Sequence, residues 1–266
     1  MTEWFLLIDL VPHKGALNMA VDEHLLNSLT DEPRTFLRFY QWQQPTASLG
    51  YSQKAENVLD LEFCRANGIE IVRRMTGGKM VLHHQEITYS IVSSDQELFT
   101  ATLGGSYKLI SQALMNGLEK MGLRPSPAGK APSFYARGNL PCFSHPAQDE
   151  IEVAGKKIIG SAQKRTGKKF LQHGSIPLRH DSALLKSVSL LETSPDEIRM
   201  TSLSLALGRD VDFHWAVNHL VAGFLDFFGV GSKPLTFTKA EWDKIHDLQI
   251  NKYESKAWTF SPKTSG

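Results

Sequence analysis

A cysteine and a lysine in the middle of the chain have the types and spacing for nucleophilic chemistry. Cys142 lies between Pro141 and Phe143, and Lys157 follows fifteen residues later on a Gly-Lys-Lys turn. The thiolate is the reactive form of cysteine, and a lysine ammonium folded back onto Cys142 would stabilise it near neutral pH. The residues alone favour a plainer interpretation, in which Cys142 is a small buried side chain and the nearby His145 is structural.

A basic stretch, RRMTGGK, lies nearer the N-terminus and surrounds a glycine turn. It carries Arg73, Arg74 and Lys79 around Gly77 and Gly78. Glycines let backbone N–H groups approach an anion, and arginine binds phosphate or carboxylate, although the spacing is not that of a P-loop. The alternative is a β-hairpin with a solvated basic rim.

Small residues and histidines supply further candidates. The stretch GSAQ at 160–163 leaves room for a ligand beside a strand, or simply fills a packing gap. His83, His84 and His173 lack the spacing of a metal site, so we predict no metal. Six cations between 156 and 169 could steer an acidic partner or merely solvate two hairpins.

Composition limits the class of protein. The chain has 266 residues, of which 41% are hydrophobic, and a net charge of +1. A chain of this kind can bury a sizeable core, and its charge does not favour binding to nucleic acid or to an anionic membrane. No apolar run reaches the length of a signal-peptide core or a membrane span, so we expect a cytoplasmic protein with reduced thiols at Cys64 and Cys142.

The positioning elements follow from hydrophobic periodicity and turn residues. We predict a helix from Ala16 that buries one apolar stripe, and a capping box formed by Thr238 and Glu241 at the start of the last helix. The other predicted elements are strands at 4–8, 35–42, 46–51 and 68–74, one long strand at 81–92, a helix at 104–121, an antiparallel meander that ends at 178, and helices at 195–207 and 213–228. These patterns predict an α/β fold of the α+β type, a single domain with a mixed, largely antiparallel sheet flanked by helices.

Three motifs in this order, RRMTGGKMVLHHQEITYSIV, VAGKKIIGSAQKR and LQHGSIPL, resemble the lipoate-protein ligase and octanoyltransferase family. Matches from GALNMAVDEHLL to KYESKAWTF extend the resemblance over nearly the whole chain. It implies a biotin/lipoate protein ligase-like catalytic domain at 1–210, with a C-terminal helical extension at 211–266 packed on it. It also implies a hydrophobic tunnel for a medium-length acyl chain, with Lys157 near the acyl carbonyl.

Within that family, PCFSHP resembles the CF-x-x-P stretch of the cysteine-type octanoyltransferases, which also separate cysteine and lysine by fifteen residues. This branch implies that Cys142 and Lys157 are catalytic and that Cys142 takes octanoate from acyl carrier protein. The group then passes to a lysine of a lipoyl-domain protein or glycine cleavage H protein, and no cofactor is required. Matching positions imply a substrate pocket formed by Arg73, Arg74, Gly77, Gly78, Lys79, Val81, His83, Gly160, Ser161, Ala162, Gln163, His173 and Gly174.

Two departures and two alternatives accompany the resemblance. Ala147, Gln148 and Asp149 stand where aromatic residues are usual. Lys79 and Met80 stand where small residues are common, and Met80 could shorten or reshape the tunnel. One alternative is an ATP- and Mg²⁺-dependent lipoate-protein ligase that forms lipoyl-AMP. The other is a non-catalytic module that binds lipoyl or carrier domains through its basic hairpins.

Overall fold

Two sheets and their covering helices position the candidate residues. The computed structural model describes residues 2–99, 102–128, 150–190 and 199–261. Its strands are β1 Glu3–Ile8, β2 Arg34–Tyr40, β3 Thr46–Leu49, β4 Glu70–Arg73, β5 Val81–His83, β6 Glu86–Ser93, β7 Pro125–Pro127, β8 Ile151–Val153, β9 Lys156–Thr166, β10 Lys169–Pro177 and β11 Lys233–Pro234. Its helices are α1 Gly15–Ser28, α2 Leu61–Ala66, α3 Leu103–Lys120, α4 Ser182–Val188, α5 Leu203–Leu207, α6 Phe213–Phe228, α7 Lys239–Leu248 and α8 Lys256–Phe260, with a 3₁₀ turn at Ala55–Asn57 and a π-helical turn at Gln249–Tyr253.

The large sheet has the strand order β11-β1-β2-β6-β10-β9-β8-β7, and the small sheet has the order β4-β3-β5. From β2 to β7 each neighbouring pair in the large sheet is antiparallel, whereas β1 is parallel to both of its neighbours. The meander β8–β9–β10 is the one that the two glycine turns predict. The predicted fold class, a mixed and largely antiparallel sheet flanked by helices, is confirmed.

The single strand predicted at 81–92 is wrong. The chain leaves the small sheet at His83 and enters the large sheet at Glu86. Gln85 between them has φ +51°, a left-handed conformation that interrupts extended backbone. Strand β5 pairs with β3 in the small sheet, whereas β6 pairs with β2 and β10 in the large sheet. The break at Gln85 is therefore the point where the chain crosses from one sheet to the other.

Alternating side chains of the large sheet supply two cores. Leu37 and Phe39 join the core beneath α3 and α6, whereas Phe36 and Val92 face α1. The α3–α6 crossing is close, because a Cβ at Gly223 would lie 2.3 Å from the Gly117 nitrogen. Helices before and after residue 210 therefore share one core, although the division of the chain at that residue stays a prediction.

Helix α1 buries far more than the predicted apolar stripe. Its buried residues include the polar side chains of Asn18, Asp22, Glu23 and His24. The helix lies between the large sheet and the C-terminal segment, where Glu23 accepts a hydrogen bond from Tyr253 at 2.6 Å. Burial of these polar groups is tolerated because each carboxylate has donors.

Two features of the later helices test the predictions. The capping box of Thr238 and Glu241 is confirmed at the start of α7. Residues 191–198 lie outside the described part, so only the end of the helix predicted at 195–207 is tested. The described residues are helical from Leu203, and Ser202 caps this helix. Met200, just before it, forms an isolated bridge with Lys157 instead. No helix in the described ranges has the length and apolar character needed to cross a membrane.

Candidate active site

A cavity opens between the two sheets, where the chain crosses from β5 to β6. It encloses about 430 Å³ of empty space, including its open mouth. The small sheet and the glycine loop form one side, and β6, β9 and β10 form the other. Its lining residues are Met19, Tyr40, Trp42, Ser48, Arg74, Gly78, Val81, His83, Thr88, Gly160, Ser161, Ala162, His173, Gly174 and Ser175.

The structure brings together most of the residues predicted to bind substrate. Those that line the cavity are Arg74, Gly78, Val81, His83, Gly160, Ser161, Ala162, His173 and Gly174. Arg73, Gly77, Lys79 and Gln163 are not among its lining residues. The contact of any of these residues with substrate stays a prediction.

One wall carries a hydrogen-bonded series of a carboxylate, an imidazole and a hydroxyl. Glu86 Oε1 lies 2.7 Å from His83 Nδ1, and His83 Nε2 lies 2.7 Å from Ser48 Oγ. Thr88 donates to the same carboxylate at 2.5 Å, and Ser175 donates to its other oxygen. A carboxylate only accepts hydrogen bonds, so His83 Nδ1 carries a proton that it donates to Glu86. We call this set the Glu86 series.

Trp42 fixes the His83 ring from one side. The two rings are stacked with centroids 3.9 Å apart and an interplanar angle of 13°. The Trp42 Nε1–H donates to Thr88 Oγ1 at 2.7 Å, so the indole is itself anchored to the partner of Glu86. The imidazole therefore has a fixed plane as well as two fixed hydrogen bonds.

The opposite wall carries a second series of the same composition. Asp22 Oδ2 lies 3.3 Å from His173 Nδ1, and His173 Nε2 lies 2.7 Å from Thr76 Oγ1. Burial lowers the pKa of His173 by more than the neighbouring Asp22 raises it. His173 is therefore neutral at pH 7 and accepts from Thr76. We call this set the Asp22 series.

Arg38 distinguishes the Asp22 series, because it places a buried cation on the carboxylate. Its Nη1 lies 2.8 Å from Asp22 Oδ1, and its Nε donates to Asp9 at 2.8 Å. Tyr40 and Ser90 also donate to Asp22, at 3.1 and 2.9 Å. Burial alone would raise the pKa of Asp22, but the hydrogen bond from His173 and the charge of Arg38 lower it overall.

Arg74 joins the two series and closes the glycine loop. Its Nε donates to Thr76 Oγ1 at 3.1 Å, and its Nη1 donates to Ser48 Oγ at the same distance. Its Nη2 donates to the carbonyls of Gly77 and Lys79 at 2.9 and 2.7 Å. Gly78 must be glycine here, because it has φ +92° and a Cβ would lie 3.0 Å from the guanidinium.

The hairpin with a solvated basic rim is wrong as an alternative for this loop. Strands β4 and β5 both pair with β3, on opposite sides, and do not pair with each other. Arg73 is fully buried and donates to the backbone carbonyls of Gly50, Tyr51, Trp258 and Thr259, between 2.8 and 3.1 Å. It ties the C-terminal segment to the small sheet.

The small residues of β9 and β10 line the cavity and also allow tight packing. A Cβ at Gly174 would lie 2.5 Å from Tyr89 Cε1 and 2.6 Å from Ser161 Oγ. The Tyr89 hydroxyl lies 2.7 Å from Ser161 and accepts from Gln172 at 2.9 Å, and burial raises its pKa to about 12. The Gly160–Gln163 stretch and Gly174 therefore shape a rigid wall.

Lys157 is fully buried and is paired with a carboxylate that the sequence did not indicate. Its Nζ lies 2.7 Å from Glu150 Oε1, and its backbone bonds to Arg199 and Thr201. It is not among the residues that line the cavity. Cys142 lies outside the described residues, so its position beside Lys157 stays a prediction.

The remaining residues singled out in the sequence are Met80, which the structure describes, and four residues that it does not. His145, Ala147, Gln148 and Asp149 lie outside the described residues. Met80 is buried in the apolar cluster of the small sheet and is not a cavity-lining residue, so the structure gives no support for its reshaping a tunnel there.

A second cavity shares the lining residue Ser175 with the first. Glu86 and Ser175 belong to its wall, together with His84 and with Met200, the backbone partner of Lys157. In the described ranges, no three His, Cys, Asp or Glu side chains group as metal ligands would. The lack of a metal in the whole protein stays a prediction.

Sequence reasoning missed Asp22, Trp42, Ser48 and Glu86. One usable signal was the pair of polar residues Asn18 and Asp22, four positions apart on a helix otherwise rich in apolar side chains. Such spacing places both on one helix face, where burial requires partners. Trp42 and Ser48 had no local signal, because their partners come from distant segments, whereas Glu86 lies only three residues from its partner His83.

Comparisons with known proteins place this chain in one family. A family described as the lipoyl protein ligase A/B catalytic domain matches residues 14–225. The chain is 34% identical over 266 residues to octanoyltransferase LipM of Oceanobacillus iheyensis, covering 95% of this chain and 96% of that protein. It is 37% identical over 269 residues to octanoyltransferase LipM of Carboxydothermus hydrogenoformans, covering 97% and 99%.

Two solved structures have the same fold. Protein Ta0514 of T. acidophilum, a putative lipoate protein ligase with bound lipoic acid, has a TM-score of 0.82 and 25% identity, with 97% of this chain and 100% of that chain covered. A lipoate-protein ligase A bound with ATP has a TM-score of 0.83 and 25% identity, with 97% and 98% covered.

Proposed function

Because this chain belongs to the family of lipoyl protein ligase A/B catalytic domains, we propose that it is an acyltransferase of the cysteine-type octanoyltransferase branch. It moves octanoate from acyl carrier protein to a lysine of a lipoyl-domain protein or glycine cleavage H protein. The observation that carries the proposal is the near full-length similarity to octanoyltransferases in a chain that places Cys142 fifteen residues before Lys157.

The chemistry proceeds in two half-reactions. The Cys142 thiolate attacks the carrier thioester, a new C–S bond forms, and the carrier thiol leaves. The amine of the acceptor lysine then attacks the acyl-enzyme, an amide forms, and the Cys142 thiol is released. Conversion of a thioester into an amide is downhill, so neither step requires a nucleotide or a metal.

Lys157 supports the first half-reaction electrostatically. Its ammonium is held in a buried pair with Glu150, the first described residue after the segment that contains Cys142. A fixed, buried positive charge stabilises both a thiolate and a tetrahedral oxyanion more strongly than a solvated one. The cavity between the sheets holds the acyl chain against Met19, Val81 and Trp42.

The runner-up is an ATP-dependent lipoate-protein ligase. It is favoured by the likeness to solved structures that carry lipoic acid or ATP, at 25% identity. The higher identity to the octanoyltransferases and the presence of Cys142 favour the thiol route. A non-catalytic module for lipoyl or carrier domains is the third possibility and would bind without acyl transfer.

Intact-mass analysis separates these functions. The protein is incubated with octanoyl-acyl carrier protein, or with octanoate or lipoate plus ATP and Mg²⁺, and a lipoyl domain is then added. We expect the carrier to leave one octanoyl group on the wild-type protein and on Cys64→Ala, but none on Cys142→Ala. Cys64 is a matched control, because it is 1% exposed in the small-sheet core and burial raises the pKa of its thiol.

The outcomes that contradict the proposal are specific. Modification of the lipoyl domain with free lipoate and ATP, undiminished in Cys142→Ala, would establish the ligase. Salt-sensitive binding of carrier or lipoyl domain without any acyl transfer would establish the binding module. Lys157→Met should slow acylation by about 100-fold, a loss typical of a removed transition-state donor.

A further inference from the structure

The Glu86 series has the geometry of a base with a positioned hydroxyl, and the proposed chemistry leaves it unused. Both spacings in the series, Glu86 to His83 and His83 to Ser48, are 2.7 Å. Ser48 and His83 line the cavity, and all three side chains are buried. A hydroxyl on an imidazole that is oriented by a carboxylate is the arrangement by which proteins move a proton.

Glu86 differs from Asp22 in the groups that donate to it. Glu86 accepts hydrogen bonds from Thr88, Ser175 and His83, and in the described ranges no lysine or arginine pairs with it. A proton on His83 therefore creates an ion pair with a carboxylate that no other cation neutralises. In the Asp22 series, by contrast, Arg38 already occupies the carboxylate.

Ser48 can connect His83 to a group in the cavity. Its Oγ lies 2.7 Å from His83 Nε2, to which it would donate when the imidazole is neutral, and it accepts one N–H from Arg74 at 3.1 Å. A hydroxyl oxygen has two lone pairs, so Ser48 can accept one further hydrogen bond from a group bound in the space that it lines. The Arg74 guanidinium also stabilises negative charge on Ser48 Oγ while the proton passes.

Ser175, which donates to Glu86, pairs with Gly160, three residues after Lys157 on β9. Glu86 and Ser175 line the second cavity together with Met200, and Met200 bridges to Lys157. The Glu86 series and Lys157 are thus connected through neighbouring residues of β9 and β10.

We propose that Ser48 and His83, positioned by Glu86, accept the proton that the acceptor amine loses when it attacks the acyl thioester. This inference rests on the proposed function. The neutral amine forms the C–N bond, its N–H proton passes to Ser48 Oγ, and the Ser48 proton passes to His83 Nε2. The C–S bond breaks, the thiolate leaves, and the His83 imidazolium then returns one proton to the thiolate, so atoms and charge balance.

Single-turnover kinetics test the relay separately from acylation. The octanoyl-enzyme is formed with octanoyl-acyl carrier protein, isolated, and mixed with a lipoyl domain, while intact mass follows loss of the acyl group. For His83→Gln we expect transfer to the amine to be about 100-fold slower at pH 7, a much larger loss than the loss in acylation. Glu86→Gln should show the same split, and Ser48→Ala a smaller one, because an amine or water can then reach His83 directly.

The pH profile provides the readout that a purely structural role would not change. The charged and titratable groups that face His83 are Glu86 on its own segment, Arg74 through Ser48, and His173 across the cavity. We expect the transfer deficit of His83→Gln to narrow as pH rises, because hydroxide and buffer bases replace the lost acceptor.

Three results would overturn the relay. One is equal slowing of acylation and transfer in all three variants, which indicates a structural or binding role. Another is transfer at the wild-type rate in a folded His83→Gln or Ser48→Ala protein. A transfer deficit that does not change with pH is the third. If the wild-type protein never gains an acyl mass, the proposed function fails first, and that result is distinguishable from the other three.

Discussion

The two walls of the cavity use the same three chemical groups but balance their charges differently. The Asp22 series and the Glu86 series each run from a carboxylate through an imidazole to a hydroxyl that also contacts Arg74. Asp22 is paired with a fully buried arginine, whereas Glu86 accepts from two neutral hydroxyls and His83. Two series built from the same three groups thus differ in whether a buried arginine neutralises the carboxylate.

The difference affects the stability of the fold at Asp22 and the proposed reactivity at Glu86. A buried carboxylate with a buried arginine is stable as a pair, but neither partner is stable alone. A carboxylate held only by neutral donors remains able to stabilise a newly formed imidazolium. The Asp22 wall therefore holds α1 against the sheet, and the Glu86 wall is the one that we propose to react.

Removal of Arg38 should have the largest effect. Arg38→Met leaves Asp22 buried without its cation, so we expect the free energy of unfolding to fall by about 3–5 kcal/mol. The matched change on the other wall, Glu86→Gln, retains the shape and should cost only about 2 kcal/mol. Urea denaturation measures both. Equal losses would show that the two carboxylates have the same electrostatic environment, and the comparison would fail.

The second-largest expected effect is on how the free energy of unfolding depends on pH. The pKa of His173 is lower in the folded protein than its ordinary value of 6.5, so the unfolded chain binds a proton first as pH falls. Stability from this residue is present above pH 6.5 and is lost as pH falls below it toward the folded pKa, by at most about 1.4 kcal/mol per pH unit. In urea titrations between pH 7 and 5, His173→Gln should show a shallower dependence than the wild type. An unchanged slope would mean that His173 is not held neutral.

Removal of the Thr76 or Ser48 hydroxyl should have the smallest effect on stability, but it should distinguish the two walls most clearly in the kinetics. Thr76→Val and Ser48→Ala each remove the donor to one imidazole, and we expect each to lower the free energy of unfolding by about 1 kcal/mol. Only Ser48→Ala should slow transfer from the acyl-enzyme more than it slows acylation. If Thr76→Val produces the same kinetic split and the same pH profile, the two walls are functionally equivalent.

The elements of the fold were more predictable than the contacts that build the site. Periodicity and turn residues located the meander β8–β10 and helix α6, because both depend on local patterns. The break at Gln85 escaped prediction, because 81–92 is continuously rich in β-forming residues and only the competing pairings of two sheets divide it.

The cavity itself was only half predictable, for a related reason. The ordered motifs indicated His83 and His173, which line it. Their carboxylate partners differ, since Glu86 is three residues from its histidine whereas Asp22 is 151 residues from His173. No local pattern in the sequence indicates a partner at that separation. The pairing of Lys157 with Glu150 was not predictable either, because the burial of both side chains depends on tertiary packing.

The anchoring of Arg73 has a consequence for synthesis of the protein. The carbonyl acceptors at Gly50 and Tyr51 are synthesised before Arg73 itself. The acceptors at Trp258 and Thr259 lie 185 and 186 residues after it in the chain. A chain still emerging from the ribosome therefore carries this cation without two of its final acceptors, and the small sheet cannot reach its finished hydrogen bonding until translation has passed residue 259. Completion of the Arg73 anchor is thus coupled to synthesis of the segment that contains Trp258 and Thr259.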